Sequence, residues 1–136
     1  MAGLLSNPYV AVTAYYTVTG LAMILFLTIF ELVTRYRVWA ELKKGNLAVA
    51  MATGGKIFGV ANIFRFSIEQ HDSMGQALVR GSFGYVLLLL SYFIFEFMTP
   101  SYKVDEEIAR DNRAVGFIAM VISVGFSYVI GASLSL

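Results

Sequence analysis

Leu47-Ala-Val-Ala-Met-Ala-Thr-Gly-Gly-Lys-Ile-Phe-Gly-Val-Ala-Asn-Ile-Phe64 is the stretch whose reading decides the fold. It is apolar, rich in small residues and, at about 1.5 Å of rise per residue, long enough to cross most of a bilayer. At helical spacing Ala48, Ala52, Gly55, Gly59 and Asn62 share one side, where a neighbouring helix can approach closely. Lys56 stands in the middle. Placing a lysine at the centre of a span costs about 2.5–3.5 kcal/mol on insertion scales, so this one needs a reason to be there.

Three more apolar runs lie around this stretch. Tyr9 to about Thr34 forms the first span, started by Ser6-Asn7-Pro8, with Tyr9, Tyr15 and Tyr16 at one end as an aromatic belt. Leu47 to Phe66 is the second. Gly81 to Met98 is the third, stopped by Thr99-Pro100, and Ala114 to Leu134 is the fourth. Arg35 to Asn46 reads as an interfacial turn or short helix with Trp39 at headgroup depth. Arg65 to Arg80 reads as a polar loop, and Lys103 to Arg113 is the densest run of charge. The fold class is an all-α integral membrane bundle of four spans.

The composition agrees. The 136 residues are 58% hydrophobic and 14% charged, and the mean hydropathy is +0.72. Soluble domains are about 45–50% apolar and about 25% charged, so lipid is the expected solvent and the bilayer the expected partner. The net charge of +1 gives no reason to expect a nucleic-acid partner. Without cysteine there is no disulfide, thiolate metal site or cysteine nucleophile, and one histidine, His71, cannot build a multi-histidine site in one chain. No basic n-region precedes the first span, which therefore reads as a retained helix that directs its own insertion.

Basic residues set the orientation. Arg35, Arg37, Lys43, Lys44, Lys103, Arg110 and Arg113 fall in the first and third connections, against Arg65 and Arg80 in the second. The positive-inside rule places the first and third connections in the cytoplasm and both termini outside it.

The chain also matches itself at an offset of 66. Val38 meets Val104, Glu41 meets Glu107, Lys44 meets Arg110, Asn46 meets Asn112, Ala48-Val49 meets Ala114-Val115, and Gly59 meets Gly125. Phe30-Glu31 meets Phe95-Glu96 at an offset of 65. Matches at charged and amide positions argue against coincidence. They predict two parallel two-helix repeats, about 9–68 and 78–134, within a single transmembrane domain.

Glu41-Leu-Lys-Lys-Gly-Asn-Leu-Ala-Val-Ala50, Gly54-Gly55, Gly59 and the second Asp105-Glu-Glu-Ile-Ala-Arg-Asp-Asn-Arg-Ala-Val-Gly116 resemble the YjfL/YshE-type bacterial membrane proteins. That family consists of small duplicated two-helix units without an assigned activity. The resemblance covers roughly Glu31 to Gly131 and implies a bacterial inner-membrane location. The second copy departs from the Gly-Asn-x-Ala-x-Ala signature, with Asp111 in place of Gly45 and Gly116 in place of Ala50. If the glycine serves a tight turn, the second turn needs another solution.

Several residues are candidates for a site. Lys56 lies roughly 15 Å beyond Asn46 along a helix, near mid-span, and pairs with Glu31 or Glu96 either as a structural ion pair or along an ion path. The repeat puts Ile122 at its equivalent position. Glu31 and Glu96 are carboxylates near the ends of their spans. Asn46 and Asn112 read as helix N-caps. Ala48, Ala52, Gly55 and Gly59 form a packing face that Ala119, Ser123, Ser127 and Gly131 can meet. Lys43, Lys44, Arg110 and Arg113 suit lipid phosphate. The outer Glu69-Gln-His-Asp72 reads as an exposed loop, and no cofactor or catalytic motif appears. The expected function is a non-enzymatic subunit of a homo-oligomer or larger membrane complex, the alternative an ion or proton channel or transporter subunit using Lys56, Glu31 and Glu96.

Overall fold

The computed structural model describes residues 3, 6–34, 36–70, 73–97, 103–134 and 136. Arg35, His71-Asp72 and the Thr99-Pro100 stop lie outside them. Among the described residues the chain is helical: α1 Pro8–Val33, α2 Val38–Lys43, α3 Leu47–Gln70, α4 Met74–Phe97, α5 Val104–Ala109 and α6 Arg113–Leu134. Helices α1, α3, α4 and α6 are each long and apolar enough to cross a membrane. The start of α1 follows from its first residues: the Asn7 side chain accepts a hydrogen bond from the Tyr9 amide at 2.9 Å, and Pro8 occupies the first turn.

The connection between the second and third spans differs from the expected long polar loop. Helices α3 and α4 continue through most of it, so only 71–73 separate them. Helical side chains explain the extension. Arg65 and Glu69 pair at i,i+4, and the buried Ser67 hydroxyl donates to the Ala77 carbonyl at 2.6 Å, drawing the two helix ends together. The polar residues are the wet ends of two spans.

The core is built on α3, which buries eleven residues, with α6 as its closest neighbour. A Cβ added at Gly55 would lie 2.7 Å from Met120 Cα, and one at Gly116 would lie 2.7 Å from Ala48 Cα. One at Gly59 would meet the Ser123 carbonyl oxygen at 3.1 Å. Small residues therefore bring the two backbones into near contact, as they do in membrane helix pairs. Ala48, Ala52, Ala119, Ser123 and Ser127 are buried along the same seam, and Gly131 faces the Phe66 ring. Asn62 donates to Ser127 Oγ at 3.0 Å across it.

Helix α4 covers the other side of α3 with Tyr85, Leu88 and Tyr92. Helix α1 reaches this core from Ala22 onward, stacking Phe26 on Tyr85 at 4.3 Å between ring centroids and accepting the Tyr85 hydroxyl at the Phe26 carbonyl.

Candidate functional site

Two short helices precede the two packed spans, and each ends in the same kind of turn. In the first, Gly45 adopts a φ of +79° and the Asn46 amide donates back to the Glu41 carbonyl at 3.1 Å. In the second, Asp111 adopts a φ of +63° and the Asn112 amide donates to the Glu107 carbonyl at 2.9 Å. This is a Schellman-type ending, which needs one left-handed residue; glycine enters that region freely, and aspartate is among the few others that do so. The second turn thus keeps the geometry of the first with a different residue.

Each turn also starts its span. Asn46 Oδ1 accepts from the Val49 amide at 3.0 Å and Asn112 Oδ1 from the Val115 amide at 3.4 Å. The amide groups donate to Glu41 at 3.3 Å and to Glu107 at 2.9 Å. Two further bonds lock the turns to each other: Asn46 Nδ2 donates to the Ala109 carbonyl at 2.9 Å, and Asp111 Oδ1 accepts from the Ala48 amide at 2.9 Å. The asparagines and Asp111 satisfy helix-end groups that would otherwise be buried without partners.

Below this joint lies the buried cation. Lys56 is 4% exposed, and its ammonium stands 4.5 Å from the Tyr92 ring centroid, 5.4 Å from Phe30 and 5.8 Å from Tyr36. Three ring faces replace part of its hydration. Lys56 forms no close ion pair with Glu31 or Glu96 among the described residues. Two carboxylates, Asp105 and Glu96, lie near enough to act on its charge. Asp105 is 2% exposed and accepts a hydrogen bond from the Tyr92 hydroxyl. Tyr36, in the connection between α1 and α2, is buried, and burial together with the Asp105 carboxylate holds its phenol well above the ordinary range, so it stays neutral.

Sequence reasoning missed Asp105, which sits in the densest charge run and looks solvated. The signal was present: Val104, Asp105 and Ile108 are the buried residues of α5, so the carboxylate shares the apolar face. Trp39, its counterpart at the offset of 66, is 71% exposed. Tyr36, Tyr92 and Phe30 carried no charge or motif to single them out.

Glu31 lies elsewhere. With Lys56, Thr53, Thr34, Trp39 and apolar residues of α1 and α3 it lines a groove of about 310 Å³ between α1, α2 and α3. The basic turn residues Lys44, Arg110 and Arg113 pair with the part-buried Glu41, Glu107 and Asp111 at 3.5–3.7 Å; the basic partners are exposed, so such pairs contribute little. Lys43 is exposed on α2.

Four apolar helices with a buried charged cluster and no soluble domain among the described residues define a multi-pass transmembrane protein. The family model described as Domain of Unknown Function (DUF350) matches residues 3–134, and the chain belongs to that family. It is similar to the UPF0719 transmembrane protein YshE of Bacillus subtilis (strain 168), with 60% identity over 128 residues covering 94% of this chain and 96% of that protein. No solved structure matches.

Proposed function

We propose that this chain is a non-enzymatic protein of the bacterial inner membrane, with both termini outside the cytoplasm, that works as a structural subunit of a homo-oligomer or a larger membrane complex. The observation that carries the reading is the contrast between α1 and α3. Helix α1 buries one residue, Phe30, where α3 buries eleven, and its packed residues begin only at Ala22. Its first half, with Val12 68% exposed and Tyr16 79% exposed, is free to meet another subunit. The enclosed setting of Lys56 supports a structural part for the charge. On the far side of it Val60, Ile63, Phe64 and Leu88 fill the core with exposures of 2% or less.

Mass measurement of the full chain in mild detergent tests this, together with disulfide trapping of Val12→Cys, which is clean because the chain has no other cysteine. Assemblies larger than one chain and a trapped dimer are expected. Monomers alone, binding no partner, would contradict the proposal.

One observation favours a second reading. Lys56 and Glu31 both line the lateral groove, as residues of a transport path would. Ion or proton flux in liposomes that disappears in Lys56→Met would establish a channel or transporter subunit. No flux in either protein removes that reading.

A further inference from the structure

The groove between α1, α2 and α3 has a polar end and an apolar end. Along α1 the lining runs from Ile24 and Leu27, inside the span, to Glu31 and Thr34 at its end beside the turn. On α3, Thr53 lies six residues past Leu47, roughly 9 Å into the helix, and Ile57 lies one turn deeper. Trp39 stands at the rim. At about 310 Å³ the groove holds on the order of ten water-sized groups, enough for one chain segment and its linkage but not a whole two-chain lipid.

Charge narrows the occupant. Both Glu31 and Lys56 line it, Glu31 partly exposed and Lys56 only 4% exposed, so the carboxylate is the more accessible of the two charges. A purely anionic head meets Glu31 unfavourably, and a purely cationic one meets Lys56 unfavourably. A zwitterion with its cation outermost suits both. We propose that this groove holds one zwitterionic glycerophospholipid, its ammonium at Glu31 and one acyl chain against Ile24, Leu27 and Ile57. The site requires only the single chain and stands apart from the oligomer reading.

Trp39, the one tryptophan, reports on occupancy. The full chain is reconstituted in phosphatidylcholine vesicles, and brominated-chain phosphatidylethanolamine or phosphatidylglycerol is added. Phosphatidylethanolamine should reach half-maximal quenching at a mole fraction roughly threefold below that of phosphatidylglycerol, the size of one half-exposed ion pair. Glu31→Gln should abolish that preference. The change is near-isosteric, and an unchanged helical circular dichroism spectrum checks the fold. Equal quenching by all lipids, a preference for phosphatidylglycerol, a preference that survives Glu31→Gln, or a Trp39 shielded by a second copy would overturn the assignment.

Discussion

The two turns that lead into α3 and α6 share a backbone path and differ in what they carry. The first has Gly45, Trp39 and, ten residues past its cap, Lys56; the second has Asp111, Asp105 and Ile122 at the same places. The shared parts, a left-handed residue, an asparagine cap and a glutamate that accepts from it, make each turn, and the shared Asn46 also donates across to the other. Of the differing parts, the two aspartates act between the segments. Asp111 caps the helix of the first copy, and Asp105 in the second faces the same Tyr92 as Lys56 in the first. Two of the positions at which the matched segments differ, Asp105 and Asp111, are the ones that reach across to the other segment.

The largest effects should follow from breaking those contacts. Asp105→Ala leaves Lys56 buried without the carboxylate that shares Tyr92 with it and should cost about 3–5 kcal/mol, read from denaturant titration in micelles. Placing a second cation in the other copy by Ile122→Lys, where no Asp105 equivalent exists, should cost about 2.5–3.5 kcal/mol in a membrane insertion assay. Trp39→Asp in addition should recover little, because Trp39 faces outward.

The close seam comes next. Gly55→Ala and Gly116→Ala would force backbone apart and should cost about 1–3 kcal/mol each in the same titration. Gly54→Ala, with open space where its Cβ would stand, should be neutral or stabilising by up to about 1 kcal/mol. The turn residues come next. Asp111→Ala should cost about 2 kcal/mol, the sum of a lost cap and left-handed strain, whereas Asp111→Gly should cost only the cap, about 1 kcal/mol. If both variants lose the same amount, left-handed strain at residue 111 contributes nothing and the cap alone accounts for the loss.

Much of this was legible in the sequence because its cause is local. Four spans follow from apolar length, the packed face of α3 from small residues at helical spacing, and the caps from Asn7, Asn46 and Asn112. The ends of α3 and α4 were not, since Ser67 and Ala77 find each other only after the hairpin closes. The surroundings of Lys56 were half legible. A mid-span lysine announces a partner, and the two repeated glutamates were the natural candidates. The carboxylate that shares Tyr92 with it lies on a six-residue helix, which the sequence shows only as one charge among seven in 103–113. Its burial depends on α5 folding back over α3 and α6, with Tyr92 of α4 reaching it, a long-range arrangement that local pattern does not encode.

A double-mutant cycle on Lys56 and Asp105 tests most directly whether the buried charges belong to the architecture. Lys56→Met and Asp105→Leu should each destabilise the full chain by about as much as the double variant does, roughly 3 kcal/mol, so that the coupling is also about 3 kcal/mol. Additive losses, or a Lys56→Met protein of unchanged stability that has lost ion or proton flux, would contradict the account.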